Sequence, residues 1–135
     1  MTPTATPTAL VVDDATTMRK FHRSVLEEAG FAVVEAMDGV AALEQMLEAP
    51  RRFGLVLADV NMPGLDGYAL VRRLRAEATL AALPVIMITT EREPRDAERG
   101  FAAGANLFLV KPVRPERLAA VARAIFAPAG AGPAA

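Results

Sequence analysis

The feature that most constrains the fold of this chain is the alternation of short apolar runs with amphipathic stretches. The runs lack period-two alternation, and they start near residues 9, 31, 54, 85 and 106. Such runs suit strands buried on both faces, as the strands of a parallel sheet are. Repeated strand-then-helix units predict an α/β fold with right-handed crossovers. We therefore predict a doubly wound, five-stranded parallel sheet of the (βα)5 type, with strand order 2-1-3-4-5.

The amphipathic stretches carry helix start signals and helical spacing. Asp38 and Asp66 are placed to cap the second and third helices, and Pro94 and Pro115 suit the first turns of the fourth and fifth. The apolar stripes are expected to include Phe21 in the first helix, Val40 and Leu47 in the second, and Phe101 in the fourth. One flavodoxin-like domain is expected over residues 8–126, between flexible tails at 1–7 and 127–135.

Composition and charge exclude several function classes. The 15 basic and 16 acidic residues nearly balance, which gives no reason to expect nucleic acid or a membrane surface as a partner. The chain has no cysteine, so thiol nucleophiles, disulfides and zinc–thiolate sites are absent. We expect neither a secretory signal nor a membrane span, because residues 1–8 lack a basic segment followed by an apolar one and no apolar run reaches the length of a span. The expected location is the cytoplasm.

Polar residues follow four of the apolar runs at the points where strands would end. Asp13 and Asp14 follow the first run, Asp59 the third, Thr89 the fourth and Lys111 the fifth. The carboxyl ends of parallel strands share one edge of the sheet, where open α/β folds bind their ligands. Three carboxylates, a hydroxyl and an ammonium at that edge indicate a site for a divalent cation and a phosphoryl group.

The chemistry of the acidic residues gives each a predicted role. Clustered carboxylates repel, and a hard cation such as Mg²⁺ with oxygen ligands relieves that repulsion; either Asp13 or Asp14 could act through a bound water. The backbone carbonyl of Asn61 could complete the metal shell. Asp59, alone at the end of the central strand, is the best candidate nucleophile, and Lys111 could neutralise it. The plainer alternative is that Asp13 and Asp14 cap a helix and Asp59 begins a turn.

At these residues the chain resembles the receiver domain of two-component response regulators, and more closely the CheY-type single-domain regulators of chemotaxis. The receiver signature is matched by residues 12–14, 59–67, 89 and 111–112, and the chemotaxis-type segments by residues 17–19, 35–43 and 83–87. The resemblance covers about residues 8–126.

The resemblance implies a phosphoacceptor signalling protein rather than an enzyme acting on a separate substrate. It implies that Asp59 takes a phosphoryl group from a sensor histidine kinase, and that Asp14, Asp59 and the Asn61 carbonyl hold Mg²⁺, with Asp13 acting through water. Thr89 would then move toward the phosphoryl group, and the aromatic residue at position 108 would turn inward. A downstream protein, for example the flagellar motor switch, would bind the face made by the fourth helix, fifth strand and fifth helix. The oligomeric state is left open between monomer and weak dimer.

Two residues depart from the family pattern. Phe108 stands where the chemotaxis group has tyrosine, so the switch residue has no hydroxyl. Thr90 stands where Ala or Gly is usual, and its branched side chain is expected to hinder water and slow the loss of the phosphoryl group.

The same residues bear on several alternative functions. A phosphorelay intermediate or a phosphate sink uses the same site. An aspartyl-phosphate hydrolase would need its nucleophile in a DxD pattern on the first strand, and a flavin binder would need a Ser, Thr and Gly-rich loop there. A degenerate receiver that signals without phosphate would lack site residues that this chain has. Few residues follow Phe126, so output through protein contact is expected.

Overall fold

The computed structural model describes residues 6–127, and these residues form five strands that alternate with five helices. The strands are β1 (Thr8–Val12), β2 (Ala32–Ala36), β3 (Leu55–Asp59), β4 (Val85–Thr89) and β5 (Leu107–Val110). The helices are α1 (Thr16–Glu28), α2 (Gly39–Glu48), α3 (Gly67–Ala76), α4 (Pro94–Ala103) and α5 (Pro115–Ile125). The predicted order of elements is confirmed.

The strands form one parallel sheet in the order β2-β1-β3-β4-β5, as predicted. Helices α2, α3 and α4 cover one face, where side chains such as Met46, Leu70 and Ala103 pack against the sheet. Helices α1 and α5 cover the other face through residues such as Leu26 and Leu118. Every residue of β3 and β4 is buried, which explains why their sequences are continuously apolar.

The predicted helix starts are confirmed in detail. The side chain of Asp38 accepts a hydrogen bond from the backbone N–H of Ala41 at 2.8 Å, and Asp66 accepts one from Ala69 at 2.8 Å. Pro94 and Pro115 are the first residues of α4 and α5. The position suits proline because the N–H groups of the first helical turn have no partner within the helix.

Four large apolar residues that the helical spacing assigned to core stripes are exposed, so that part of the prediction is wrong. They are Phe21, Val40, Leu47 and Phe101. In α4 the buried positions are instead Gly100 and Ala103. At Gly100 the helix lies so close to Phe108 that even a Cβ would clash. Apolar spacing found the helices but overestimated the width of their buried faces.

The expected tails, 1–7 and 127–135, lie mostly outside the described residues. At the described ends, the carbonyl of Pro7 accepts a hydrogen bond from the N–H of Ala32, and the N–H of Ala127 donates to the carbonyl of Gly54. Within residues 6–127, no helix combines the length and hydropathy needed to cross a membrane.

Candidate functional site

Three aspartates meet at the carboxyl edge of the sheet. Asp13 and Asp14 follow β1, and Asp59 is the last residue of β3, which pairs directly with β1 through Val12 and Ala58. One carboxylate oxygen from each aspartate lies within 4.8 Å of the others. Asp13 and Asp59 are buried, at 1% and 7% exposure, while Asp14 is exposed. The predicted juxtaposition is therefore present, with one open side through which solvent and a ligand can enter.

Among residues 6–127, one ammonium group faces this cluster. Lys111, just after β5, places Nζ 3.5 Å from Oδ2 of Asp13 and 3.5 Å from Oδ2 of Asp59. Burial raises the pKa of the Asp59 carboxyl and the nearby Asp13 charge adds to the rise, while Lys111 acts in the opposite direction. One cation against three carboxylates leaves an excess of negative charge, which favours an additional cation at this edge.

The plainer interpretation of the aspartates holds only in part. The first residue before α1 is Ala15, and no side chain caps that helix. Asp13 Oδ1 accepts a hydrogen bond from the N–H of Ala15 at 2.9 Å, and Asp59 Oδ1 accepts a long one from Asn61 at 3.4 Å. These local bonds orient the two carboxylates, yet both still point into the shared cluster with Asp14.

The hydroxyl of Thr89 lies at the same edge and joins two loops. Thr89 is fully buried at the end of β4. Its Oγ1 accepts hydrogen bonds from the side-chain amide of Asn61 at 3.3 Å and from the backbone N–H of Glu91 at 3.1 Å. Asn61 is exposed in the loop after β3, so Thr89 connects that loop to the segment leading into α4.

One group near the site was not predicted from the sequence. The hydroxyl of Tyr68, at the start of α3, lies 3.3 Å from Oε2 of Glu91 and 3.2 Å from the carbonyl oxygen of Asp96. The guanidinium of Arg99 lies 4.2 Å from the centre of the Tyr68 ring. A lone tyrosine inside an apolar helical stripe looks like a core residue, and the only signal was that a buried hydroxyl needs a partner.

Phe108 on β5 is half-buried beneath α4. Its ring approaches Gly100 so closely that a Cβ built on that glycine would lie 2.6 Å from Cδ2 of Phe108. A surface depression beside β5 is lined by residues that include Phe108, Val113, Arg114 and Arg117. The ring of Phe108 therefore packs against α4 and also lines an open depression at the surface.

Comparisons with known proteins agree with this geometry. Residues 9–123 match the family described as the response regulator receiver domain. The chain is 38% identical over 110 residues to the chemotaxis protein CheY1 of Helicobacter pylori, covering 81% of this chain and 88% of that protein. It is also 38% identical over 102 residues to the gliding motility regulatory protein of Myxococcus xanthus, covering 76% of this chain but 13% of that protein.

Solved structures extend the similarity to the backbone. The chemotaxis protein CheY4 of Vibrio cholerae superposes with a TM-score of 0.83 at 36% identity, covering 90% of this chain and 99% of that one. A response regulator receiver protein from Pseudomonas putida gives a TM-score of 0.81 at 30% identity, covering 90% and 99%. The matched residues, 9–123, include the whole acidic cluster, Thr89 and Lys111. This chain belongs to the response regulator receiver domain family, close to the CheY-type regulators.

Proposed function

We propose that the chain works as a phosphoacceptor whose Asp59 takes a phosphoryl group from a phosphohistidine of a sensor histidine kinase. A carboxylate oxygen of Asp59 attacks the phosphorus, the P–N bond breaks, and the imidazole leaves. The observation that carries this proposal is the position of Asp59, buried between Lys111 and the Asp13–Asp14 pair at the carboxyl edge. Lys111 balances the charge of Asp59 before transfer and attracts the phosphoryl oxygens after it.

The donor set fits a hard divalent cation, because it consists of oxygen atoms with excess negative charge. Asp14, Asp59 and the backbone carbonyl of Asn61 would hold Mg²⁺ directly. Both oxygens of Asp13 already accept hydrogen bonds, from Ala15 and Lys111, which supports contact through a water instead. When bound, Mg²⁺ neutralises charge on the phosphoryl oxygens.

The same proposal assigns the switch to Thr89 and Phe108. After transfer, the Thr89 hydroxyl donates to a phosphoryl oxygen and Phe108 repacks against α4. The half-buried ring beneath Gly100 and the adjoining depression support a link between the site and this surface. A partner protein then binds the face formed by α4, β5 and α5.

The proposed setting is cytoplasmic signalling in chemotaxis or motility, with the flagellar motor switch as the leading candidate target. Similarity to proteins named for chemotaxis and gliding motility supports that setting. The chain would catalyse only its own phosphorylation and dephosphorylation, as a monomer or weak dimer, without nucleic acid or membrane. Two alternatives differ in where the label goes. In a phosphorelay it would pass on to a histidine of another protein, and in a phosphate sink it would be released to water as inorganic phosphate.

Phosphotransfer with a labelled donor tests the proposal. We expect the protein to accept label from a phosphorylated sensor kinase or a small phosphodonor in Mg²⁺, and to lose that ability in EDTA. Asp59→Asn should take up no label. The matched control is Asp66→Asn, in which the new side chain still caps α3 and labelling should persist. Equal labelling of Asp59→Asn and wild type would refute the assignment of Asp59.

Thr90 gives a prediction for the lifetime of the phosphoryl group. Its side chain is exposed directly after buried Thr89, at the open edge of the site. We expect Thr90→Ala to lose the phosphoryl group faster than wild type, because a smaller side chain gives water easier access. Decay of label after removal of the donor measures this. Equal or slower decay in the variant would contradict it.

A further inference from the structure

The hydroxyl group of Tyr68 on α3 contacts the Glu91–Asp96 segment, which runs from the loop after β4 into the first turn of α4. Tyr68 is 1% exposed, and its hydroxyl lies within hydrogen-bonding distance of the Glu91 carboxylate and the Asp96 carbonyl. Glu91 is near the start of the segment and Asp96 is in the first turn of α4, so this hydroxyl contacts the segment at both ends. Arg99, one turn further along α4, lies over the ring.

We call the contacts of the Tyr68 hydroxyl with Glu91 and Asp96 the tether. The tether connects to the site through the backbone of Glu91. The N–H of Glu91 donates to Oγ1 of Thr89, which also accepts from Asn61. Between the tether points, Arg92 and Glu93 are exposed, so Tyr68 is the buried anchor of an otherwise open segment. A movement of Thr89 that carries Glu91 away from α3 would lengthen the contact between the Glu91 carboxylate and the Tyr68 hydroxyl.

We propose that the Tyr68 hydroxyl is a positioning group for the switch, holding the Glu91–Asp96 segment in its resting arrangement and so opposing the movement of Thr89. This rests on the proposed function, since it presumes that Thr89 moves when Asp59 is phosphorylated. The Glu91 carboxylate is only half-buried and can turn to water when the hydroxyl is removed, so the resting arrangement loses a bond without leaving a buried group unpaired. Burial and the neighbouring Glu91 charge raise the pKa of Tyr68 to about 12, consistent with a hydroxyl that keeps its proton for donation.

The test is Tyr68→Phe, which keeps the ring and its contact with Arg99 and removes only the hydroxyl. In the unphosphorylated, metal-free protein we expect hydrogen exchange of residues 90–96 to be about 3- to 10-fold faster than in wild type. With Mg²⁺ present, beryllofluoride, a phosphoryl stand-in, should bind tighter by a similar factor, since the tether disfavours the switched state. Arg92→Ala, on the same segment, should change neither quantity.

Two further measurements separate positioning from simple destabilisation. Glu91→Ala should reproduce most of the effect and add little to Tyr68→Phe in the double variant. Tyr68 is the only tyrosine in a chain without tryptophan, so its fluorescence in wild type should change when beryllofluoride is added. Unchanged exchange and unchanged beryllofluoride affinity in Tyr68→Phe would overturn the proposal. Exchange in the metal-free protein does not depend on phosphorylation, so failure of Asp59 to accept a phosphoryl group would appear separately, in the labelling experiment.

Discussion

At the scale of single residues, the Asp59 carboxylate is buried beside other negative charge at a cost in stability. Burial and Asp13 raise the pKa of Asp59, so ionising this carboxyl costs more free energy in the folded protein than in the unfolded chain. We expect Asp59→Asn to raise the free energy of unfolding of the metal-free protein by about 1 kcal/mol, since Lys111 keeps its other partner, Asp13. Urea unfolding in EDTA at pH 7 measures this. Asp66→Asn should change stability by less than about 0.5 kcal/mol, and a less stable Asp59→Asn would contradict the expectation.

The buried imidazole of His22 makes the stability of the folded protein depend on pH in the mildly acidic range. It is 3% exposed on α1, and burial, followed by the charge of Lys111, lowers its pKa to about 4. Between about pH 4 and pH 6.5, the imidazole of His22 binds a proton in the unfolded chain, where its pKa is near 6.5, but not in the folded protein. Stability from this residue is therefore complete above pH 6.5 and is lost as the pH falls towards 4. We expect it to account for a loss of about 2 kcal/mol between pH 8 and pH 5.

Urea unfolding at pH 8, 6 and 5 measures this loss, and His22→Leu should show a correspondingly smaller one. Glu35→Gln is the control. Hydrogen bonds to the Glu35 carboxylate, of which the one from Lys20 has the largest effect, lower its pKa to about 2. The stability that the ionised Glu35 carboxylate contributes is lost only below the ordinary carboxyl pKa of 4.5, which is lower than the pH values tested. Identical pH dependence of wild type and His22→Leu would contradict the role of His22.

At the scale of elements, the packing of α4 against β5 depends on a helical position without a side chain. A Cβ at Gly100 would lie 2.6 Å from Cδ2 of Phe108 and 3.4 Å from Sδ of Met87. Alanine improves helix propensity by about 1 kcal/mol, but the aromatic ring must move. We expect Gly100→Ala to lower the free energy of unfolding by about 1–3 kcal/mol. In a Phe108→Ala background the same change should be neutral or stabilising, and a double-mutant cycle in urea measures the difference. Equal losses in both backgrounds would contradict this account.

At the scale of the whole molecule, the sequence predicts the sheet well because the inner strands β3 and β4 are completely buried and the apolar pattern of each strand is local. The convergence of Asp13, Asp59 and Lys111 was also predictable, since strand ends in a parallel sheet must share an edge. The tether from Tyr68 to Glu91 was not, because it depends on how α3 approaches a loop 23 residues away. Exposure of Phe101 was missed for the same reason: local periodicity does not say how closely a helix packs.

The two ends of the described chain meet at the amino edge of the sheet, opposite the acidic cluster. The N–H of Gly54 donates to the carbonyl of Thr8 at 2.9 Å, and the carbonyl of Gly54 accepts from the N–H of Ala127 at 2.8 Å. Phe126 packs edge-on against Phe31 with ring centres 5.4 Å apart. The start of β1 and the end of α5 are thus joined through the residue that precedes β3.

Gly54 is required at this junction, because a Cβ there would lie 2.1 Å from the carbonyl oxygen of Ala127, a backbone atom. We expect Gly54→Ala to lower the free energy of unfolding by about 2–3 kcal/mol in the full chain, since the end of α5 must be displaced. In a chain ending at Phe126 the obstructing carbonyl is gone, and the same substitution should cost less than about 1 kcal/mol. Urea unfolding of the four proteins measures both. Labelling of Asp59 at the opposite edge should be unaffected, whereas an equal loss of stability in both chain lengths would show that Ala127 is not the obstacle.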